Sequence, residues 1–136
     1  MNTISEKLRM VQKHVLAVLT SHETGWHISQ LSRPFDILIS SGHKVTICSI
    51  AGGNTSVAEV SYQDVDCAEF ESNAAKMELC QNTLPLKYFS GKGFDCVLLI
   101  GGPGAMFDFH QCEDLARIVS ECYENGKQYF HCYNYR

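Results

Sequence analysis

FDCVLLIGGPGAMFDF, residues 94–109, runs an apolar segment straight into a glycine-rich turn. Phe94 to Ile100 is almost continuously apolar, the pattern of a strand buried on both faces. Strands of that kind belong to parallel sheets with helices on either side. Gly101-Gly102-Pro103-Gly104 follows at once as a tight turn. Glycine there lets backbone N–H groups face outward with no side chain in the way, and such groups can stabilise an oxyanion. A strand-to-helix turn with no catalytic task is the competing reading of the same residues.

Working outward, Val15 to Leu19 is a compact apolar run and reads as another buried strand. Thr20 to Gly25 reads as a loop. Ile28, Leu31, Phe35, Leu38 and Ile39 then recur at helical spacing. Pro34 predicts a kink or a fresh start in that helix, and Ser41-Gly42 closes it as a glycine C-cap. Val45 to Ile50 reads as a strand ended by Gly52-Gly53. Residues 54–70 give no clear pattern, and Ser72 to Gln81 reads as a helix with Ala75, Leu79 and Cys80 inward. Downstream, Leu115, Ile118, Val119 and Cys122 mark one face of a helix that ends near Asn125-Gly126. Tyr129 to Tyr133 reads as a last strand. Alternating strands and helices predict an α/β fold with a mainly parallel sheet and right-handed crossovers. Sites in such sheets lie beyond the carboxyl ends of the strands. The loops Thr20–Gln30, Ile50–Ser61 and Gly101–Asp108 should therefore converge.

The chain has 136 residues, a length that suits one domain. Residues 1–13 read as a polar arm or short helix, and 14–136 as the α/β domain. Apolar residues make up 45% and charged residues 19%, which allows a core. A net charge of -4 with scattered lysines and arginines excludes a nucleic-acid footprint. Lys7, Arg9 and Lys13 come nearest to a basic cluster, and a solvated helix face accounts for them. There is no apolar run of about eighteen residues to span a membrane and no secretory signal pattern at the start, so a cytoplasmic location is expected. Seven cysteines without a C-x-x-C pair argue against a zinc site and for free, mostly buried thiols in a reducing compartment. No cofactor or metal is expected.

Several segments together resemble the ThiJ/PfpI family of the class I glutamine amidotransferase-like superfamily, closest to its branch of stress-induced chaperones and glyoxalases. They are TGWHISQLSRPF (24–35), SSGHKVTICSIAGG (40–53) with Ser61 beyond it, FDCVLLIGGPGAMFDF (94–109) and YENGK (123–127). The resemblance covers nearly all of residues 14–127 in order and spacing. It implies a flavodoxin-like sheet, a catalytic Cys-His pair on a sharp strand-to-helix turn, and a glutamate that assists the cysteine. It also implies glyoxalase III or D-lactate dehydratase activity on methylglyoxal, a small carbonyl substrate, and a homodimer among the expected partner states.

Carried over residue by residue, the resemblance puts Gln30 where the family has its glutamate. Gly102 supplies the oxyanion N–H, and Pro103 stands where the family has a histidine, beside Gly104. Asp108 matches an acidic residue after the turn, with helix capping as its other reading. Trp26 either lines the substrate pocket or covers the sheet end. His22 and His27, in the same loop, read as surface or helix-start residues. Counting from Gly126 puts the nucleophile at Tyr133. Cys132 comes one residue early, with His131 before it rather than after, and a one-residue shift reverses the face of a strand. A glutamine cannot act as a carboxylate base. Two function classes follow: an impaired glyoxalase III-type enzyme using Cys132, His131, Gln30 and Gly102, or a non-catalytic chaperone-like or dimerising module. The chain is expected to be truncated, covering the amino-terminal half of the family's domain.

Overall fold

The computed structural model describes residues 12–58 and 64–132, the last three as backbone alone. Five strands form one all-parallel sheet in the order β3-β2-β1-β4-β5. They are β1 (His14–Leu19), β2 (Lys44–Ser49), β3 (Leu84–Pro85), β4 (Cys96–Ile100) and β5 (Gln128–Cys132). The helices are α1 (Ile28–Ser40), α2 (Val65–Ser72), α3 (Ala74–Gln81), the single turn α4 (Ala105–Asp108) and α5 (Glu113–Glu124). The architecture is the expected flavodoxin-like α/β sheet flanked by helices. It has one strand and two helices that the sequence pattern did not announce: β3, α2 and α4. The polar-arm reading of residues 1–13 falls almost wholly outside the described residues.

The register shows why the two central strands are apolar throughout. Val15 pairs with Val45 and Cys96, and Ala17 with Ile47 and Leu98, so these residues share one face. That face packs on Leu31 and Phe35 of α1 and on Phe70 of α2. Leu16, Val18, Cys48, Val97 and Leu99 share the other face, against Leu115, Ile118 and Cys122 of α5 and against Leu86. Each face of β1 and β4 therefore has its own apolar layer, as both faces of a parallel sheet require.

Two helices end in the same way. After α1, Gly42 has φ +87, its N–H donates to Ile39 O and that of His43 to Leu38 O. After α5, Gly126 has φ +72, its N–H donates to Tyr123 O and that of Lys127 to Cys122 O. This paired closure satisfies the last helical carbonyls and turns the chain directly into the next strand.

Pro34 does not break α1, which runs through it as a single 13-residue helix. The ring removes one backbone donor, and burial of Ile28, Leu31 and Phe35 outweighs that loss. On α3 Cys80 is buried and the half-buried Met77 packs on the same core, while Ala75 and Leu79 are exposed. Asn73 ends α2 and caps α3, accepting from Lys76 N, so the helix axis changes before Ala75 and Leu79 can turn to the core. Asp64 caps α2 by accepting from Asp66 N and Cys67 N.

Candidate active site

The strand order reverses between β1 and β4, since β2 and β3 build outward on one side and β5 on the other. In a doubly wound sheet that reversal opens a crevice beyond the carboxyl ends of the strands. The three expected loops do meet there. Trp26 N–H donates to Ser56 O at 3.0 Å and Ala58 N–H to Trp26 O at 2.8 Å. His27 N–H donates to Gly101 O and Gly104 N–H to Gly25 O, both at 2.9 Å. Ala51 N–H donates to Ser21 Oγ at 2.7 Å.

Asp108 locks two of these loops. Its carboxylate accepts from Thr20 Oγ1 and from Ser21 N, each at 2.8 Å. It is the last residue of α4, so it does not cap that helix's amino end; its carboxylate reaches back to the end of β1 instead. Thr20 also accepts from His22 N at 3.1 Å.

Trp26 is completely buried, and its Nε1–H donates to Thr55 Oγ1 at 2.9 Å, while that hydroxyl donates to Cys80 O at 2.7 Å. It covers the sheet end and presents no surface to a ligand, which corrects the pocket-lining reading. Gly102 and Gly104 are held by the same packing. Gly102 has φ +149, and a Cβ there would lie 2.6 Å from Trp26 Cα; at Gly104 it would lie 2.6 Å from Thr20 Cγ2. The turn therefore needs glycine for close approach, whatever its N–H groups do. Pro103 is half-buried between them.

Gln30 is half-buried in the first turn of α1, its backbone N–H donating to His27 O at 3.0 Å. His131 and Cys132 lie on β5, opposite Leu99 and Ile100. Cys132 thus stands one register position short of the Gly101 turn, on the neighbouring strand. Tyr133 and Ser61 lie outside the described residues.

Sequence reading missed His22 as a partner of the turn. Its ring stacks on Phe107 with centroids 4.0 Å apart and planes 10° apart, and its Nδ1 lies 2.9 Å from Thr24 Oγ1. Phe107 and Met106 are exposed beside it. Nothing in the spacing of residues 22 and 107 signals that stack.

A nucleophilic thiol needs a lowered pKa. Burial works the other way here, pushing Cys48 and Cys80 up to about 12 and raising Cys67 and Cys122. Cys112 has yet another task, capping α5 through its sulfur, which accepts from Leu115 N at 3.4 Å. Among the described residues no group of three His, Cys, Asp or Glu side chains could hold a metal ion. No helix among them is long and apolar enough to cross a membrane.

The fold is that of ThiJ/PfpI-like proteins. Rapid Encystment Protein 24 kDa of Francisella tularensis matches with a TM-score of 0.81 and 25% identity over 88% of this chain and 58% of that one. The protein APC35852 matches at 0.75 and 28%, over 89% and 56%. Glyoxalase III of Candida albicans matches at 0.70 and 20%, over 88% and 56%. The chain thus spans 56–58% of the length of these three structures. No family model and no curated protein matches it.

Proposed function

We propose that this chain is a ThiJ/PfpI-type protein of the glyoxalase III-like branch whose own conversion of methylglyoxal to D-lactate is impaired. The observation that carries the reading is the crevice itself: the glycine turn and its supporting loops are in place, and the resemblance sets Gln30 and Pro103 where the family has its acid and its histidine. Conversion of the aldehyde to lactate requires a thiolate to attack the aldehyde carbon, N–H groups to hold the resulting oxyanion, and groups to move protons. The chain supplies the turn that would present such N–H groups. The amide of Gln30 cannot take up a proton as a carboxylate does, and Cys132 comes before the turn position rather than on it.

A second reading, a non-catalytic chaperone-like or dimerising module, is favoured by β5, which among the described residues is the outermost strand on its side of the sheet and carries the exposed Tyr129. An open strand edge invites pairing. Labelling the native chain with a thiol-reactive aldehyde analogue tests the primary reading. Slow modification spread over several cysteines is expected; fast, selective modification of Cys132 would contradict impairment.

A further inference from the structure

The turn that closes α5 carries a chemically labile pair. The left-handed position after the helix favours glycine, and Gly126 takes it with φ +72. Asn125 stands directly before it, exposed, and the sequence has no other asparagine followed by glycine. An asparagine amide there is open to attack from within the chain, because glycine has no side chain to hinder the approach of its own nitrogen. Gly126 N attacks Asn125 Cγ, and the new C–N bond closes a five-membered imide. The Cγ–Nδ2 bond breaks, and ammonia leaves with the proton of the Gly126 N–H. Water then opens the ring at one of its two carbonyls. Opening at Cγ leaves aspartate. Opening at the backbone carbonyl leaves isoaspartate, whose main chain runs through Cβ and Cγ and is one atom longer.

The fold holds that reaction off. Ring closure needs Asn125 Cβ and Gly126 N to eclipse across the Cα–C bond. With ψ of 12° Gly126 N eclipses Asn125's own nitrogen instead, which leaves Cβ about a third of a turn away. Rotating through that angle breaks two hydrogen bonds, from Gly126 N–H to Tyr123 O at 3.0 Å and from Lys127 N–H to Cys122 O at 2.9 Å. It also swings the start of β5 off the sheet. Gln128 pairs with Cys96, its carbonyl accepts from Cys122 Sγ at 3.1 Å, and Lys127 Nζ lies 3.1 Å from Asp95 Oδ1. We propose that Asn125-Gly126 is a deamidation site gated by β5: it reacts only while β5 is detached from β4, and the isoaspartate it forms keeps β5 detached. The extra main-chain atom falls where the two closing hydrogen bonds fix the spacing between α5 and β5, so both cannot re-form. One slow, irreversible step thereby fixes an opening of the sheet at that strand. It is independent of the crevice and of any carbonyl chemistry there.

The test incubates the full chain beside a synthetic peptide of residues 119–131 at neutral pH. Tandem mass spectrometry locates the mass gain of exchanging NH₂ for OH, and enzymatic methylation of the freed carboxyl group reports isoaspartate. Asn125→Gln in the full chain serves as the control for modification elsewhere. The folded chain should convert at least about thirtyfold more slowly than the peptide, the equivalent of two net backbone hydrogen bonds. Urea below the unfolding transition, followed by Trp26 fluorescence, should speed the chain about threefold and leave the peptide's rate unchanged. Lys127→Ala, which removes the ion pair with Asp95, should also speed it, by about twofold. In chain already converted to isoaspartate and separated by ion exchange, the amides of residues 128–132 should exchange with solvent at least about tenfold faster than in the parent. Equal rates in chain and peptide would overturn the proposal. So would an isoaspartate chain whose residues 128–132 exchange as slowly as in the parent, or a chain that stays unmodified in sub-denaturing urea while the peptide reacts.

Discussion

Replacing Asp108 by alanine removes the acceptor of two hydrogen bonds that tie the glycine turn to the end of β1. A hydrogen bond to a charged group contributes about 1.5–3 kcal/mol. The two losses do not simply add, because Asp108 is only half-buried and water can reach Ser21 N–H once the carboxylate has gone. Thr20 is fully buried, so its hydroxyl proton is harder to satisfy. We expect a loss of about 2–3 kcal/mol, which for a chain of this size lowers Tm by about 6–12 °C. Asp108→Asn should cost about 1 kcal/mol, since its amide oxygen can still accept from Ser21 N–H while its NH₂ faces Thr20 Oγ1. Urea unfolding followed by the fluorescence of Trp26, the single tryptophan, reads both variants from within the affected loop. If Asp108→Ala stays within about 0.5 kcal/mol of the parent, the carboxylate is not the lock described here. An asparagine variant as unstable as the alanine one would also refute the reasoning, by making charge rather than acceptor geometry the cause.

Gly102→Ala should cost about 3 kcal/mol or prevent folding, because its Cβ would meet Trp26 Cα at 2.6 Å; thermal melting and soluble yield report it. Thr55→Val orphans Trp26 Nε1–H, while Cys80 O keeps the backbone N–H of residue 55 as a donor, and should lower unfolding free energy by about 1–3 kcal/mol, measured by the same tryptophan signal. Backbone N–H groups of Cys67, His14 and Gly91 hold Asp64, Asp95 and Glu121 below their ordinary values of 3.8, 3.8 and 4.5, and a hydrogen bond from Lys76 does the same for Glu69. Depressed carboxylates stabilise the fold above their unfolded values and lose that contribution as pH falls through the folded ones. Lys76 is raised above 10.5, first by Glu69 and then by Asp36; its contribution is complete below 10.5 and lost as pH rises through the folded value. Burial raises the thiols of Cys48, Cys80, Cys67 and Cys122 above 9.0, so their contribution is complete only below that value and is lost as pH rises through it. Urea midpoints should therefore be flat between about pH 6 and 8, fall below about pH 4.5 and fall again above about pH 8.5; a fall between pH 8 and 6 would contradict this.

The parallel sheet was legible because its signals are local. The apolar runs of β1 and β4 lie within single segments, and Gly42 and Gly126 mark helix ends where a positive φ admits glycine best. What was not legible depends on distant partners. Thr20 and Asp108 are 88 residues apart, and Trp26 and Thr55 are 29 apart, so a pocket-like tryptophan turned out to be a core anchor. β3 is only two residues long and contains Pro85; it exists because the edge of β2 offers a partner, not because Leu84-Pro85 favours a strand. α2 buries only Cys67 and Phe70, too few to set a helical stripe, although Asp64 was a readable cap. The placement of Gln30 on the first turn of α1 was legible from Thr24-Gly25 and Pro34, while its chemistry depends on what stands at the end of β5.

The most direct test of the central claim is D-lactate formation from methylglyoxal by the purified full chain beside its Cys132→Ser variant. The account predicts slow rates that are the same for both proteins. Turnover at an enzyme's usual rate, about 1 s⁻¹ or faster, that disappears in Cys132→Ser would contradict it.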